Sequence, residues 1–264
     1  MSKKKLLIPV LLLVAVAAAI VGYIVINNNN NPDKVDLDKA VESVEAGDDG
    51  STADAEAGAE STAADGGEIE GTAGEGTGIE GTWTVDTDSG DFDFQSATGT
   101  FVGFRVNEEL VGIGATEAVG RTGDVSGEIT ITGNQMTAAT FEADLSTITT
   151  DQSRRDDKVQ SALETDQFPT ATFTLTAPVD LPADASAGGE ISVTATGDLT
   201  VHGVTKSVQI PLQAKLVSGT VVVVGSLEEL DFTGFGITMP TAPVVASVNP
   251  VGTIEMQILL AKGA

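Results

Sequence analysis

The sequence predicts an all-β fold: an antiparallel barrel with one short helix, set behind an N-terminal transmembrane helix and a disordered linker. Period-2 alternation of apolar and polar residues recurs from residue 81 onward, which is the mark of strands with one buried face. The alternating runs reach about 8 to 12 residues against a usual length of ~5–6. Strands that long favour a closed barrel whose interior can hold a ligand. A third observation, an uncharged apolar run near the N-terminus, separates this domain from what precedes it.

Lys3, Lys4 and Lys5 precede 21 residues, Leu6 to Ile26, without a charge. A helix rising about 1.5 Å per residue would cover the ~30 Å hydrocarbon core with them. The lysines orient such a span with its N-terminus in the cytoplasm and the rest of the chain outside. The rival reading is a cleaved signal peptide, with Ala15-Val16-Ala17 or Ala17-Ala18-Ala19 as the cleavage site. Both readings place the bulk of the protein outside the cytoplasm, and the length of the apolar run favours a retained anchor.

Residues 27–80 open on five asparagines and carry 15 acids against 2 lysines, with no aromatic residue. Such a composition buries too little apolar surface to offset chain entropy, so a disordered acidic linker is expected. Val35 to Val44 shows only weak helical spacing.

Residues 81–264 form the barrel domain. Strands are expected around Trp83–Asp86, Phe101–Val106, Ile129–Thr132, Thr140–Leu145, Ala171–Val179, Ile191–Thr196, Val208–Leu216, Val221–Leu227 and Ile254–Ile258. Gly133-Asn134, Pro182 to Gly189 and Ser218-Gly219 read as turns. One helix is expected from Ser153 to about Glu164, with Ser153 and Asp156 in capping-box spacing and Phe168-Pro169 beyond its end.

The 264 residues hold 13 Lys+Arg against 39 Asp+Glu, a net charge of −26. A phosphate backbone needs a basic face, so nucleic acid is excluded as a partner. With no cysteine and one histidine, thiolate, disulfide and poly-His metal chemistry are excluded too. No metal and no cofactor are called for. There is no G-x-S-x-G elbow, and Gly112-Ile113-Gly114 lacks the third glycine of a dinucleotide loop. Asp156 and Asp157 diverge on a helix and cannot act as a pair. His202 reads as a turn or core histidine. The nine phenylalanines all fall in the barrel domain, and an unfilled apolar interior would favour an apolar ligand by roughly 25 cal/mol per Å² buried.

Leu199-Thr200-Val201-His202-Gly203-Val204-Thr205-Lys206 resembles a segment of the YceI-like, polyisoprenoid-binding family. Ser153-Arg154-Arg155-Asp156 through Phe168-Pro169-Thr170-Ala171-Thr172-Phe173 resembles a second. Trp83-Thr84-Val85-Asp86 is similar to the family's opening strand and Phe235-Gly236-Ile237 to its late turn. The likeness spans Gly81 to Leu260. Many members carry a histidine and leucine soon after the Arg-Asp pair, where Lys158-Val159 stand here. The resemblance implies an extended, lipocalin-like antiparallel β-barrel, an extracytoplasmic setting, a long isoprenoid-type lipid or quinone in the lumen, and no catalysis.

By alternation the lumen candidates are Phe92, Phe94, Phe104, Val106, Phe141, Phe173, Leu175 and Phe232. Three functions compete: a membrane-tethered lipid carrier, a structural or adhesive module with a filled core, and a hydrolase or isomerase acting through His202. An internal apolar space separates the first two. The third needs His202 on a pocket beside a carboxylate. The sequence does not fix the oligomeric state, and a homodimer is compatible with it.

Overall fold

The computed structural model describes residues 31–48 and 78–263. The expected transmembrane helix lies outside the described residues, as do residues 49–77 of the linker. Among the described residues no helix is long and apolar enough to cross a membrane.

Strands β1 (Gly81–Val85), β2 (Phe101–Leu110), β3 (Gly114–Thr122), β4 (Val125–Thr132), β5 (Gln135–Asp144), β6 (Thr170–Leu175), β7 (Val179–Asp180), β8 (Ile191–Val201), β9 (Val204–Val217), β10 (Thr220–Asp231) and β11 (Val245–Lys262) form one sheet. The pairing runs β1-β4-β5-β6-β8-β9-β10-β11, and β11 returns to β1 through Trp83↔Lys262 and Val85↔Leu260. Eight strands thus close an antiparallel ring. The β2–β3 hairpin extends the wall from the other half of β11, where Gln257 pairs with Phe101 and Val245 with Leu110. Closure leaves these eight strands no free edge to blunt.

Inward and outward residues alternate as predicted. On β11, Ile254, Met256, Ile258 and Leu260 face the interior, and on β8, Ile191, Val193, Ala195, Leu199 and Val201 do. The turn Val201-His202-Gly203-Val204 puts both central residues at positive φ, His202 at 52° and Gly203 at 71°. That geometry matches the twist of a two-residue hairpin and suits glycine at the second place. β3 carries no alternating signal, since between Gly114 and Thr122 only Val119 is a large aliphatic residue and the others are small, polar or charged.

Among the described residues two short α-helices are present, where one was expected. Helix α2 (Ser153–Leu163) stands where expected, with Glu164 as a left-handed C-cap. Its start differs in detail: the residue before Ser153, Gln152, makes no side-chain cap. Asp156 instead reaches back, its Oδ1 accepting from Thr150 N and Thr150 Oγ1, both at 2.7 Å.

Helix α1 (Leu37–Asp48) corrects the expectation of disorder throughout residues 27–80. Asp36 caps it by accepting from Lys39 N. Leu37, Ala40, Val41 and Val44 form an apolar stripe, and it covers Val217, Val222, Val224 and Leu259 on the outside of the barrel. The linker's average composition conceals this stripe because it occupies only two turns, and its partner surface is 170 or more residues away.

Candidate functional site

The interior of the barrel is not filled. A cavity of about 770 Å³ runs between the two ends, within the ~300–1,000 Å³ range of ligand sites. Ile129, Ile131, Met136, Ala139, Ala195 and Ile258 line one end, where the core beneath Trp83 closes the barrel. Leu145, Ile148, Val159, Phe232 and Ile237 line the other, beneath α2. Lining residues that also reach solvent, Gln152, Arg154, Lys158, Thr241, Pro243 and Val244, mark a mouth between α2 and the loop before β11.

Of the expected lumen residues, Phe104, Val106, Phe141, Phe173 and Phe232 line this cavity. The placement of Phe92 and Phe94 on a strand face is corrected. Both sit in the irregular segment between β1 and β2, and Phe92 is exposed, because Asp91, Asp93 and Ser96 turn that stretch into an Asx-type loop with Asp93 accepting from Gln95 N and Ser96 N. Leu175 points inward but packs into the closed-end core rather than onto the cavity.

Why the space stays open follows from glycines opposite the rings. A methyl group added at Gly120 would lie 2.5 Å from Phe104 Cε1, and one at Gly127 would lie 2.7 Å from Phe141 Cδ1. At Gly197 it would meet Phe173 Cζ at 2.4 Å, and at Gly252 Phe232 Cε2 at 2.7 Å. Gly120 pairs directly with Phe104, and Gly127 with Phe141. Each ring therefore lies flat over a neighbouring strand where no side chain stands, and leaves the centre of the barrel free.

The mouth carries one buried charge. Glu108 on β2 accepts from Arg155 Nη2 at 2.8 Å, and Arg155 also binds Asp151. Burial pushes the Glu108 carboxyl above the ordinary glutamate range, Arg155 opposes this and Asp151 reinforces it. An acid raised in the folded state adds stability that is complete below the ordinary glutamate value and lost as pH rises through the folded one. At neutral pH the charge is therefore a liability. Glu108→Gln, which can still accept from Arg155, should raise the melting temperature at pH 7. That gain should shrink as the pH is lowered through the acid range. A lower melting temperature at pH 7 would contradict it.

A second polar cluster, on the outside of the wall, went unnoticed in the sequence. Glu255 is 1 % exposed. Its Oε2 accepts from Arg105 Nε at 2.6 Å and its Oε1 from Arg121 Nε at 2.8 Å. Arg105 continues to Glu117 Oε2 at 2.9 Å and to the carbonyls of Pro32 and Asp33, both at 2.7 Å. Arg121 also donates to Asp33 O at 2.6 Å and lies 4.2 Å over the Phe101 ring. Burial draws the Arg121 guanidinium below its usual value against the pull of Glu255, and it stays charged. These three side chains point outward by alternation, so the pattern marks them as solvated. The docked residues 31–33 bury them.

His202 does not line the cavity. Its Nδ1 is 3.1 Å from Phe235 O, its ring is 4.7 Å from that of Phe168, and its Nε2 is 3.5 Å from Glu164 Oε2. It ties the β8–β9 turn to the end of α2 and to the Phe232–Phe235 turn, off the lumen. No group of three or more metal-ligating side chains exists among the described residues.

Among solved structures, a polyisoprenoid binding domain from Saccharophagus degradans is 16 % identical over 62 % of this chain and 94 % of its own, with a TM-score of 0.48. BcnA of Burkholderia cenocepacia is 18 % identical over 61 % and 96 %, with a TM-score of 0.45. The YCEI protein of Campylobacter jejuni is 14 % identical over 55 % and 85 %, at 0.44. A search of curated proteins finds no match. The family model of the YceI-like domain matches residues 83–260, β1 through β11 almost end to end, and the chain belongs to that family.

Proposed function

We propose that the protein is a membrane-tethered, extracytoplasmic binding protein. It holds a long apolar isoprenoid-type lipid or quinone in the barrel lumen and carries or sequesters it without catalysis. The open cavity of about 770 Å³ is the observation that carries this reading. Its walls are aliphatic and aromatic along their length, and its charged groups gather at the mouth. Each methylene moved from water into such a space contributes about 0.8 kcal/mol, so chain length alone can supply affinity. Membership in the YceI-like family agrees with this reading. A filled structural module fits the open interior poorly, and a hydrolase acting through His202 fits its position off the cavity poorly. The apolar run at residues 6–26 supplies the tether, and Lys3, Lys4 and Lys5 before it set its orientation.

Native protein extracted with organic solvent should yield one isoprenoid-type lipid at near-stoichiometric amounts by mass spectrometry. Protein that comes from its native membrane with an empty lumen would remove the carrier function.

A further inference from the structure

Three large aliphatic side chains stand in water at one place. Val111 (63 % exposed) and Ile113 (38 %) form the β2–β3 turn, and Val244 (65 %) lies on the loop beside it. Val111 N donates to Val244 O at 2.9 Å, which joins the two turns into one lip. Val244 and Pro243 also line the cavity, so the lip is the rim of its mouth. Apolar side chains held together in water mark a contact surface.

The path of the N-terminal segment says what covers it. Asn31 Nδ2 donates to Glu117 O at 2.7 Å, and Glu117 lies three pairs from the Leu110↔Gly114 end of the hairpin. The carbonyls of residues 32 and 33 then reach Arg105 and Arg121, farther from the lip. Helix α1 lies farther still, over Val222 and Leu259. From Asn31 the chain thus moves away from the lip as it proceeds, so the described segment begins at its lip-side end. Ile26, the last residue of the apolar run, is five Cα steps before Asn31, at most about 18 Å.

We propose that the lip is seated in the surface of the bilayer that residues 6–26 span, so that the cavity opens onto lipid and its ligand enters without crossing water. This inference rests on the membrane-tethered lipid-binding reading. The seating is apolar rather than electrostatic, since the net charge of −26 repels an anionic surface. It should therefore survive high salt.

The full chain contains no cysteine, so a single introduced thiol can be labelled uniquely. Full-length Val111→Cys and, at the closed end, Ser186→Cys would be labelled with an environment-sensitive dye and reconstituted into phosphatidylcholine vesicles. Brominated acyl chains should quench the label at 111 severalfold more than that at 186, in low and high salt alike. A label at 111 that stays open to aqueous iodide overturns the seating, as does a chain that alkaline carbonate strips from the vesicles. In the same vesicles, Val111→Asp/Ile113→Asp, at two lip residues that do not line the cavity, should slow uptake of a fluorescent isoprenoid at least tenfold while leaving the amount held at equilibrium unchanged. An unchanged rate counts against the inference. Quenching at 111 with no isoprenoid taken up by any variant supports the seating and sinks the carrier reading alone.

Discussion

Ala195→Trp should empty the barrel of lipid while leaving it folded. Ala195 is 1 % exposed, sits in the middle of β8 opposite Ile210, and faces the cavity. An indole there occupies the path of any extended chain. Displacing even two methylenes of ligand costs about 1.6 kcal/mol at 0.8 per CH₂, more than a tenfold loss of affinity. An indole displaces several. Overpacking a filled core costs about 1–3 kcal/mol, but here the ring enters vacant space, so the stability change should fall at the low end of that range. Solvent extraction should recover at least tenfold less lipid from the variant than from wild type. Equal recovery would mean that the ligand lies elsewhere.

Glu255→Gln should produce the largest loss of stability. Removing the carboxylate leaves the Arg105 and Arg121 guanidinium groups buried side by side, with Glu117 opposite only one of them. Breaking a buried pair in this way costs about 3–5 kcal/mol, which for a domain of this size lowers the melting temperature by roughly 10 °C. The carbonyls of Pro32 and Asp33 lose their oriented donors, so residues 31–48 should detach and trypsin should cut at Lys34 and Lys39. Replacing all three charges with apolar residues (Arg105→Met/Arg121→Leu/Glu255→Leu) should recover much of the melting temperature, yet the N-terminal segment should remain cleavable. If Glu255→Gln melts with wild type, the cluster contributes nothing to the fold.

The contrast between what alternation revealed and what it concealed has a physical cause. Period 2 reports which side of a strand a residue faces, and it placed Phe104, Val106, Phe141 and Phe173 on the inner wall of the barrel. It failed at Phe92 and Phe94, where Asp and Ser side chains turn the backbone out of the strand. It also assumes that the outer face meets water. Around β11 that assumption breaks down, because Glu255, Gln257 and Leu259 are covered by residues 31–44 and by the segment before β2, where Gln257 Nε2 donates to Gly99 O at 2.9 Å. No local pattern reports a cover that comes from elsewhere in the chain. The glycines opposite the rings were equally hidden, since each matters only through a partner on the next strand. The helix at Ser153 was legible because its start and stop signals are local.

The last strand has a consequence for how the molecule is made. β11 runs 18 residues and is hydrogen-bonded to β10 on one side and to both β1 and β2 on the other. Until it emerges from the ribosome, β1 is joined only to β4, β2 only to β3 and β10 only to β9, and the open side of each is free for unwanted pairing. Biogenesis is thus all-or-none at its final step: a chain truncated by even fifteen residues has no cylinder, and a nascent one must be shielded until its closing stave arrives.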